Sequence, residues 1–185
     1  IENTTFTANL AAIAADQADI MIAGMSPTDE RRENMDFSDV YLQAEQRLLI
    51  RAEDADKFTD LSDFAGATIA VQINTTQATI VHEVLTDSTV TELERIPNAV
   101  LELTTGNADA VVIESTVAQP YLLANPDLVL SDAALPDDVL YKDTAIAVPL
   151  GNEDFLEIIN EVIADCQEQE VGGQAVLGRQ GSLTT

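Results

Sequence analysis

The feature that most constrains the fold of this chain is a repeated change from apolar strand to helix. Continuous apolar runs such as ATIAVQI (67–73) and ADAVVIES (108–115) are each followed by a segment with helical spacing of apolar residues. Strands buried on both faces and separated by helices are typical of α/β proteins whose sheet is largely parallel. We therefore expect an α/β protein, and its 185 residues are enough for one large or two small domains.

An internal similarity favours two lobes over one. The segment LAAIAADQADIMIAG (10–24) resembles VLELTTGNADAVVIE (100–114), because each combines an apolar helix, a short turn, Ala-Asp and a buried strand. Helix-turn-strand units resemble one another, so chance is one explanation of this match. If the two segments are equivalent, the chain holds two similarly built lobes.

The position of the two similar segments predicts the domain boundaries. Residues 1–45 and 145–185 are expected to form a discontinuous first lobe, and residues 46–144 a second lobe. The segments near 40–50 and 140–150 are then the two crossings between them.

The charge of the chain excludes several classes of partner. It carries 33 Asp and Glu against 8 Lys and Arg, which gives a formal net charge of −25. Such a surface repels nucleic acids and anionic membranes, so neither is expected as a partner. No apolar run approaches the length of a membrane span, so direct membrane insertion is not expected either.

The chain has one cysteine and one histidine, which limits its chemistry. Cys166 has no partner for an intrachain disulfide, and its helical spacing with Phe155, Ile159 and Val162 predicts a buried apolar face. His82 is expected on the surface of a helix. A single histidine argues against most zinc sites and Ser-His-Asp triads, so neither a metal nor a cofactor is expected.

Three loops follow predicted strands, at the edge where α/β sheets bind ligands. They are GMSPT (24–28), NTT (74–76) and ES (114–115). In the first loop Thr28 suits a helix N-cap, and Arg31 then becomes the third helical residue. A cation is unfavourable at a helix N-terminus, so a bound carboxylate is one candidate for its partner. Asp36 or Asp39 is the alternative partner.

The other two loops offer complementary groups. Glu114 ends an apolar strand, where a carboxylate needs either a ligand ammonium or a place at a helix N-terminus. Thr75 and Thr76 offer hydroxyls and backbone N–H groups at a helix start, which suits an anion. Together the loops suggest a zwitterion, with its carboxylate on Arg31 and the Thr75–Thr76 helix end and its ammonium on Glu114.

The motif GMSPTDERRENMDFSDVY (24–41) strongly resembles the signature of the extracellular solute-binding proteins of amino-acid ABC importers. The resemblance continues through ATIAVQINTTQAT, GNADAVVIES, AIAVPLGN and the C-terminal helix. It implies a periplasmic-binding-protein type II fold, in which two α/β lobes joined by two crossing strands close like a hinge on one amino acid. Family members usually have some fifty or more residues before the part that this chain matches. The first lobe is therefore expected to lack its N-terminal part.

The resemblance also implies roles for individual residues. Arg31 matches the arginine that binds the ligand carboxylate, and Thr76 a second-lobe residue that binds the same group. Gly24 and Ser26 match positions that contact the amino group through a carbonyl and a hydroxyl. Glu114 matches the acid, more often Asp, that binds the α-ammonium.

Three positions relate to the choice of ligand. Gln72 falls where some relatives carry a lysine. Thr75, Thr76 and Gln77 resemble the Ser-Thr-Gln run of the basic-amino-acid and histidine-binding branch. The ligand is therefore expected to be a cationic or polar amino acid, namely lysine, arginine, ornithine, histidine, an opine or glutamine.

The leading hypothesis is a non-enzymatic binding protein that delivers an amino acid to the membrane permease of an ABC importer. The resemblance implies a periplasmic or extracellular location, and a monomer is expected. The alternatives are the ligand-sensing domain of a receptor and a dehydratase-type enzyme on the same fold. An enzyme needs a general acid, for which Glu114 qualifies only with a raised pKa.

Overall fold

The computed structural model describes the backbone of residues 4–180 and the side chains of residues 4–169. Its helices and strands follow in the order α1 (Phe6–Ala14), β1 (Met21–Met25), α2 (Asp29–Arg32), β2 (Met35–Phe37), β3 (Leu42–Arg51), β4 (Thr68–Gln72), α3 (Thr76–Val84), β5 (Thr89–Leu93), α4 (Ile96–Thr104), β6 (Ala110–Glu114), α5 (Ser115–Ala124), β7 (Leu128–Leu130), α6 (Asp137–Leu140), β8 (Tyr141–Pro149) and α7 (Glu153–Gln180). Short 3-10 turns at Ala52–Asp54 and Leu61–Phe64 lie between β3 and β4. Within this part of the chain, none of the helices is long and apolar enough to cross a membrane.

The chain divides into two compact units. The middle unit contains residues 43–142 and the chain up to residue 11, and the flanking unit contains residues 12–42 and the chain from residue 143. The start of α1 thus groups with the middle unit, whereas the sequence places it with the first lobe. One contact that joins it there is the hydrogen bond from Asn74 Nδ2 to Thr7 Oγ1, at 2.9 Å.

The sheet of the middle unit is mixed, so the expectation of a largely parallel sheet is wrong. Strand β4 pairs in parallel with β5 and β6, but β3 pairs antiparallel with β6 and β7. Burial along β3 agrees with this pairing, because Ala44, Gln46 and Leu48 alternate with less buried residues before the strand becomes buried throughout at Leu48–Ile50. Alternating burial is the signature of antiparallel strands rather than parallel ones.

Two apolar layers cover the two faces of this sheet. Leu48 and Val71 belong to the layer that packs with α3, and Leu49 and Ile113 belong to the layer that packs with α4 and α5. Burial on both faces holds the ends of β4 and β6, and therefore the loops that follow them, in fixed positions.

Arg51 ties the end of β3 to the rest of the middle unit. Its Nη1 donates to the carbonyl oxygens of Leu103, at 2.9 Å, and of Ala108, at 2.6 Å. Its Nε pairs with Asp54 at 2.7 Å, and its Nη2 with Asp109 at 3.4 Å. Hydrogen bonds from a cation are about twice as strong as neutral ones. Arg51 is therefore a stabilising residue of this unit.

In the flanking unit, β1 and β2 both pair antiparallel with β8, and α7 packs through Ile159 and Ile163 against Val148. Cys166 is exposed, so the prediction that it is buried is wrong. The helix continues beyond its apolar contact, and Ile163 is the last buried residue among the described side chains of α7. Val162 is 56% exposed, so its predicted burial is also wrong.

Candidate functional site

The first candidate loop begins at an irregular end of β1. Met21 pairs with Ala147 and Met25 with Ala145, so four steps along β1 match two along β8. Such a bulge redirects the chain where pairing ends. Gly24 has a φ of 61°, in the left-handed region that glycine adopts without a steric penalty. The bulge leads the chain into Ser26, which is buried.

Arg31 lies on the helical turn that follows this loop. Thr28 is the N-cap of α2, as the sequence predicts, and its hydroxyl accepts the backbone N–H of Arg31 at 3.4 Å. The Arg31 side chain folds back, and its Nη1 donates to the carbonyl oxygen of Ser26 at 2.9 Å. Burial lowers the pKa of the Arg31 guanidinium, while Glu30 acts in the opposite direction. The turn thus carries a partly desolvated cation, which is suited to bind an anion.

The neighbouring arginine is placed differently. Arg32 is exposed, in agreement with the helical rotation of about 100° between successive residues. Its guanidinium lies 5.3 Å from the centre of the Phe37 ring, and its Nε donates to the Pro27 carbonyl at 3.3 Å. The two adjacent arginines therefore have distinct environments, and Arg32 serves as a natural control for Arg31.

In the middle unit, the second candidate loop shapes the start of α3. Asn74 has a φ of 62° and directs the chain into Thr75, the N-cap of the helix. The Thr75 hydroxyl accepts the Ala78 N–H at 3.3 Å and donates to the Gln72 carbonyl at 2.6 Å. Thr76 is the first helical residue, where backbone N–H groups favour an anion.

Glu114 is buried at the end of β6, with 7% of its surface exposed. It occupies the N-cap position of α5, but its side chain makes no capping hydrogen bond. Gln77 Nε2 lies 3.4 Å from Glu114 Oε1. Burial raises the pKa of Glu114, and hydrogen bonds from Gln77 and Gln46 partly oppose that rise. The carboxylate therefore sits where an ionised acid is costly and a cationic partner is stabilising.

Gln46 is the polar residue that the sequence reasoning missed in this cluster. It is fully buried, lies opposite Glu114 in the β3–β6 register, and accepts the Gln77 Nε2 at 2.8 Å. A signal for it exists in the sequence, because Gln46 interrupts the apolar alternation of Ala44, Leu48 and Ile50. A glutamine at an inward-facing strand position needs polar partners, so it marks a polar site.

The structure brings several of the predicted residues together within each unit. Ser26 and Arg31 are bonded in the flanking unit, and Gln77 contacts Glu114 in the middle unit. Gln72 is joined to Thr75 through its carbonyl, while its side-chain Nε2 donates to the Glu94 carbonyl at 3.0 Å. Among the described residues, no group of three or more His, Cys, Asp or Glu side chains is arranged to hold a metal ion.

The mixed α/β fold matches that of solved binding proteins with the periplasmic-binding-protein type II fold. The chain belongs to the bacterial extracellular solute-binding proteins, family 3, whose family model matches residues 1–172.

The curated relatives include two proteins whose names state which amino acid they bind. The chain is 30% identical over 130 residues to the arginine-binding extracellular protein ArtP of Bacillus subtilis (strain 168), covering 69% of this chain and 50% of that protein. It is 29% identical over 154 residues to a probable histidine-binding protein of Neisseria gonorrhoeae, covering 82% of this chain and 56% of that protein. The chain thus spans about half the length of the curated relatives it matches.

Solved structures give the same family. The amino acid ABC transporter substrate-binding protein AbpA from Streptococcus pneumoniae Canada MDR_19A, bound to L-arginine, matches with a TM-score of 0.87 at 27% identity, over 91% of this chain and 70% of that one. Holo ArgBP from T. maritima matches with a TM-score of 0.81 at 34% identity, over 90% of this chain and 72% of that one.

Proposed function

We propose that this protein binds a cationic amino acid, arginine foremost, and delivers it to the permease of an ABC importer. Arg31 binds the α-carboxylate together with Thr75 and Thr76 at the start of α3, and Glu114 binds the α-ammonium. Gly24 and Ser26 add a carbonyl and a hydroxyl for the amino group. In the middle unit, Gln72 lies next to Thr75, and Gln77 lies next to Glu114.

The observation that carries this proposal is the environment of Glu114. The carboxylate is buried, does not cap the helix that it precedes, and is held by the neutral amides of Gln77 and Gln46. A buried anion with neutral partners is stabilised strongly by a cation. An α-ammonium supplies both the charge and the hydrogen-bond donors.

The choice of arginine rests on the relatives and on charge. One curated relative is named as arginine-binding, another as a probable histidine-binding protein, and one solved relative holds L-arginine. The net charge of −25 favours the approach of cations, within the Debye length of about 8–10 Å at ordinary salt. Glutamine is the next candidate, because a glutamine-binding protein of Bacillus subtilis (strain 168) is 28% identical over 142 residues.

The family name places its members outside the cytoplasm and describes binding rather than catalysis. We therefore propose that this protein works in the periplasm or on the outer side of the cell and turns over none of its ligands. Incubation of the full-length protein with arginine, followed by analysis of the small molecules, tests the second point. Conversion of the amino acid contradicts it.

A thermal-shift panel on the full-length protein tests the ligand. Ligand at about 100 times its Kd adds roughly 2.7 kcal/mol to the free energy of unfolding, which is a visible rise in Tm. Arginine, lysine, ornithine and histidine are expected to raise Tm more than glutamate, aspartate or alanine. Agmatine, which lacks the carboxylate, and the desamino analogue of arginine serve as matched controls and should raise it little. A larger shift with acidic or small apolar amino acids contradicts the choice of ligand.

A further inference from the structure

Gln46 is a fully buried polar side chain on β3 of the middle unit. We propose that Gln46 is a positioning residue for amino-group recognition, because it fixes the amide of Gln77, which in turn holds the Glu114 carboxylate in place for the ligand. This inference rests on the proposed function, in which Glu114 receives the ligand ammonium.

The hydrogen bonds around Gln46 set the direction of its amide. Its Nε2 donates to the Ala44 carbonyl at 3.1 Å, so its Oε1 faces Gln77. Gln77 Nε2 donates to that oxygen at 2.8 Å and also reaches Glu114 Oε1 at 3.4 Å. The backbone of β3 thereby determines which end of the Gln77 amide faces the carboxylate. A reversed Gln77 amide turns its oxygen towards Glu114 and repels it.

The register of the sheet keeps these groups on one face. Gln46 on β3 and Glu114 on β6 are partners in the antiparallel ladder, and side chains of such partners lie side by side. Gln77 reaches them from the first turn of α3, the helix whose start carries Thr75 and Thr76. Gln46 therefore links the residue proposed for the ammonium to the helix proposed for the carboxylate.

Packing alone does not account for a glutamine at this position. The neighbouring inward positions on β3 hold Ala44, Leu48 and Ile50, and an apolar side chain fills such a place without needing partners. A buried amide is tolerated when it is hydrogen-bonded, and its removal leaves the partners unpaired. The contribution specific to Gln46 is thus its hold on Gln77 and Glu114.

Charged groups on the surrounding elements have partners of their own. On β3, Glu45 and Arg47 alternate with Gln46 and pair with each other at 3.4 Å. On α3, His82 pairs with Glu92 of β5 at 2.8 Å. Burial raises the pKa of Glu114 and the amides of Gln77 and Gln46 lower it, so loss of either amide is expected to raise this pKa further.

The first test needs no ligand. The carboxyl signal of Glu114 is followed by carbon NMR over pH in the full-length protein and is assigned by its absence in Glu114→Gln. Gln46→Met is expected to raise the midpoint by about half a unit to one unit, the equivalent of one neutral hydrogen bond. Leu48→Val, a core change on the same face of β3, is the matched control and leaves the midpoint unchanged. An unchanged midpoint in folded Gln46→Met overturns the proposal.

A second variant covers the case in which Gln46→Met does not fold. Gln77 is half-buried on α3. Gln77→Met removes the amide that joins Gln46 to Glu114. It must also raise the midpoint of Glu114. Because part of the effect of Gln46 on Glu114 passes through Gln77, the shift of the midpoint in the double variant is expected to be smaller than the sum of the two single shifts. Full additivity overturns the proposal.

The binding experiment separates this inference from the proposed function. Gln46→Met is expected to weaken arginine binding about 3- to 10-fold, because one hydrogen bond is lost. Since the pKa of Glu114 rises in this variant, the loss of arginine affinity on acidification is expected to begin at a higher pH. Affinity for the desamino analogue stays unchanged. An equal loss for both ligands means a merely structural role and overturns the inference. A wild type that binds none of the amino acids refutes the proposed function, whereas the NMR comparison still decides whether Gln46 holds Glu114.

Discussion

Replacing Glu114 by glutamine keeps the shape of the side chain and removes its charge. A carboxylate offers about four lone-pair sites. Gln77 Nε2 lies 3.4 Å from Glu114 Oε1, and the amide of Gln46 also favours the ionised form, so room remains for about two hydrogen bonds from a ligand ammonium. A hydrogen bond to a charged group exceeds a neutral one by about 1–1.5 kcal/mol. The substitution is therefore expected to cost about 2–3 kcal/mol of binding free energy, or about 30- to 150-fold in Kd.

The same substitution is expected to stabilise the ligand-free protein at neutral pH. Burial raises the pKa of Glu114 above the ordinary value of 4.5. Between the two pKa values the folded protein binds more protons than the unfolded chain, so stability falls as pH rises through that window. Below pH 4.5 the carboxyl is protonated in both states and its burial costs no charge desolvation. The advantage of Glu114→Gln should therefore be present at neutral pH and shrink towards zero in acid.

Two measurements on the full-length protein check this reasoning. Calorimetric titration with arginine and its desamino analogue measures the affinity, and urea unfolding at neutral and acidic pH measures the stability. Wild type should prefer arginine strongly over the analogue, and Glu114→Gln should narrow that preference. A change in Kd of less than about threefold refutes the contact with the ammonium. A stabilisation that is the same at both pH values refutes burial of the charge as its cause.

Three further substitutions or conditions have defined outcomes. Arg31→Ala should weaken arginine binding by about 2–5 kcal/mol in calorimetry, whereas the matched Arg32→Ala should change Kd less than about threefold; similar losses contradict the assignment. Arg51→Met should lower the free energy of unfolding by about 3–5 kcal/mol in urea, because two carbonyl oxygens and two carboxylates lose a cation. Arg32→Met, at an exposed position, should cost less than about 1 kcal/mol. Raising NaCl from about 0.01 to 1 M should increase Tm, since it screens repulsion among the acids; a flat or falling Tm contradicts this.

Much of the local structure could be predicted from the sequence, because short-range physics determines it. The cap at Thr28 and the helix start after Thr75 follow from N-cap chemistry. The fold class follows from short apolar runs that alternate with helical patterns, which is typical of α/β proteins. These predictions needed no knowledge of which strands pair.

The predictions that failed depend on which strands pair and on how far the packed face of a helix extends. The direction of β3 relative to β6 is set by tertiary connections, so the expectation of a largely parallel sheet could not foresee it. Cys166 lies on the packed side of α7 by rotation, but Ile163 is the last buried side chain described there. The role of Gln46 depends on the strand register that places it opposite Glu114, and the sequence does not determine that register.

Both charged groups proposed to bind the zwitterion are partly desolvated before any ligand arrives. Burial lowers the pKa of Arg31 and raises that of Glu114, so in each case the charged form is disfavoured by its own surroundings. A site that has already removed water from its charges gains more from an incoming partner and reorganises less on binding. The Arg31 guanidinium donates to the Ser26 carbonyl, and Gln77 donates to the Glu114 carboxylate, so both charged groups lose conformational freedom. We therefore propose that recognition of the common α-amino-acid group rests on Arg31 and Glu114, and that discrimination among ligand side chains comes from other residues.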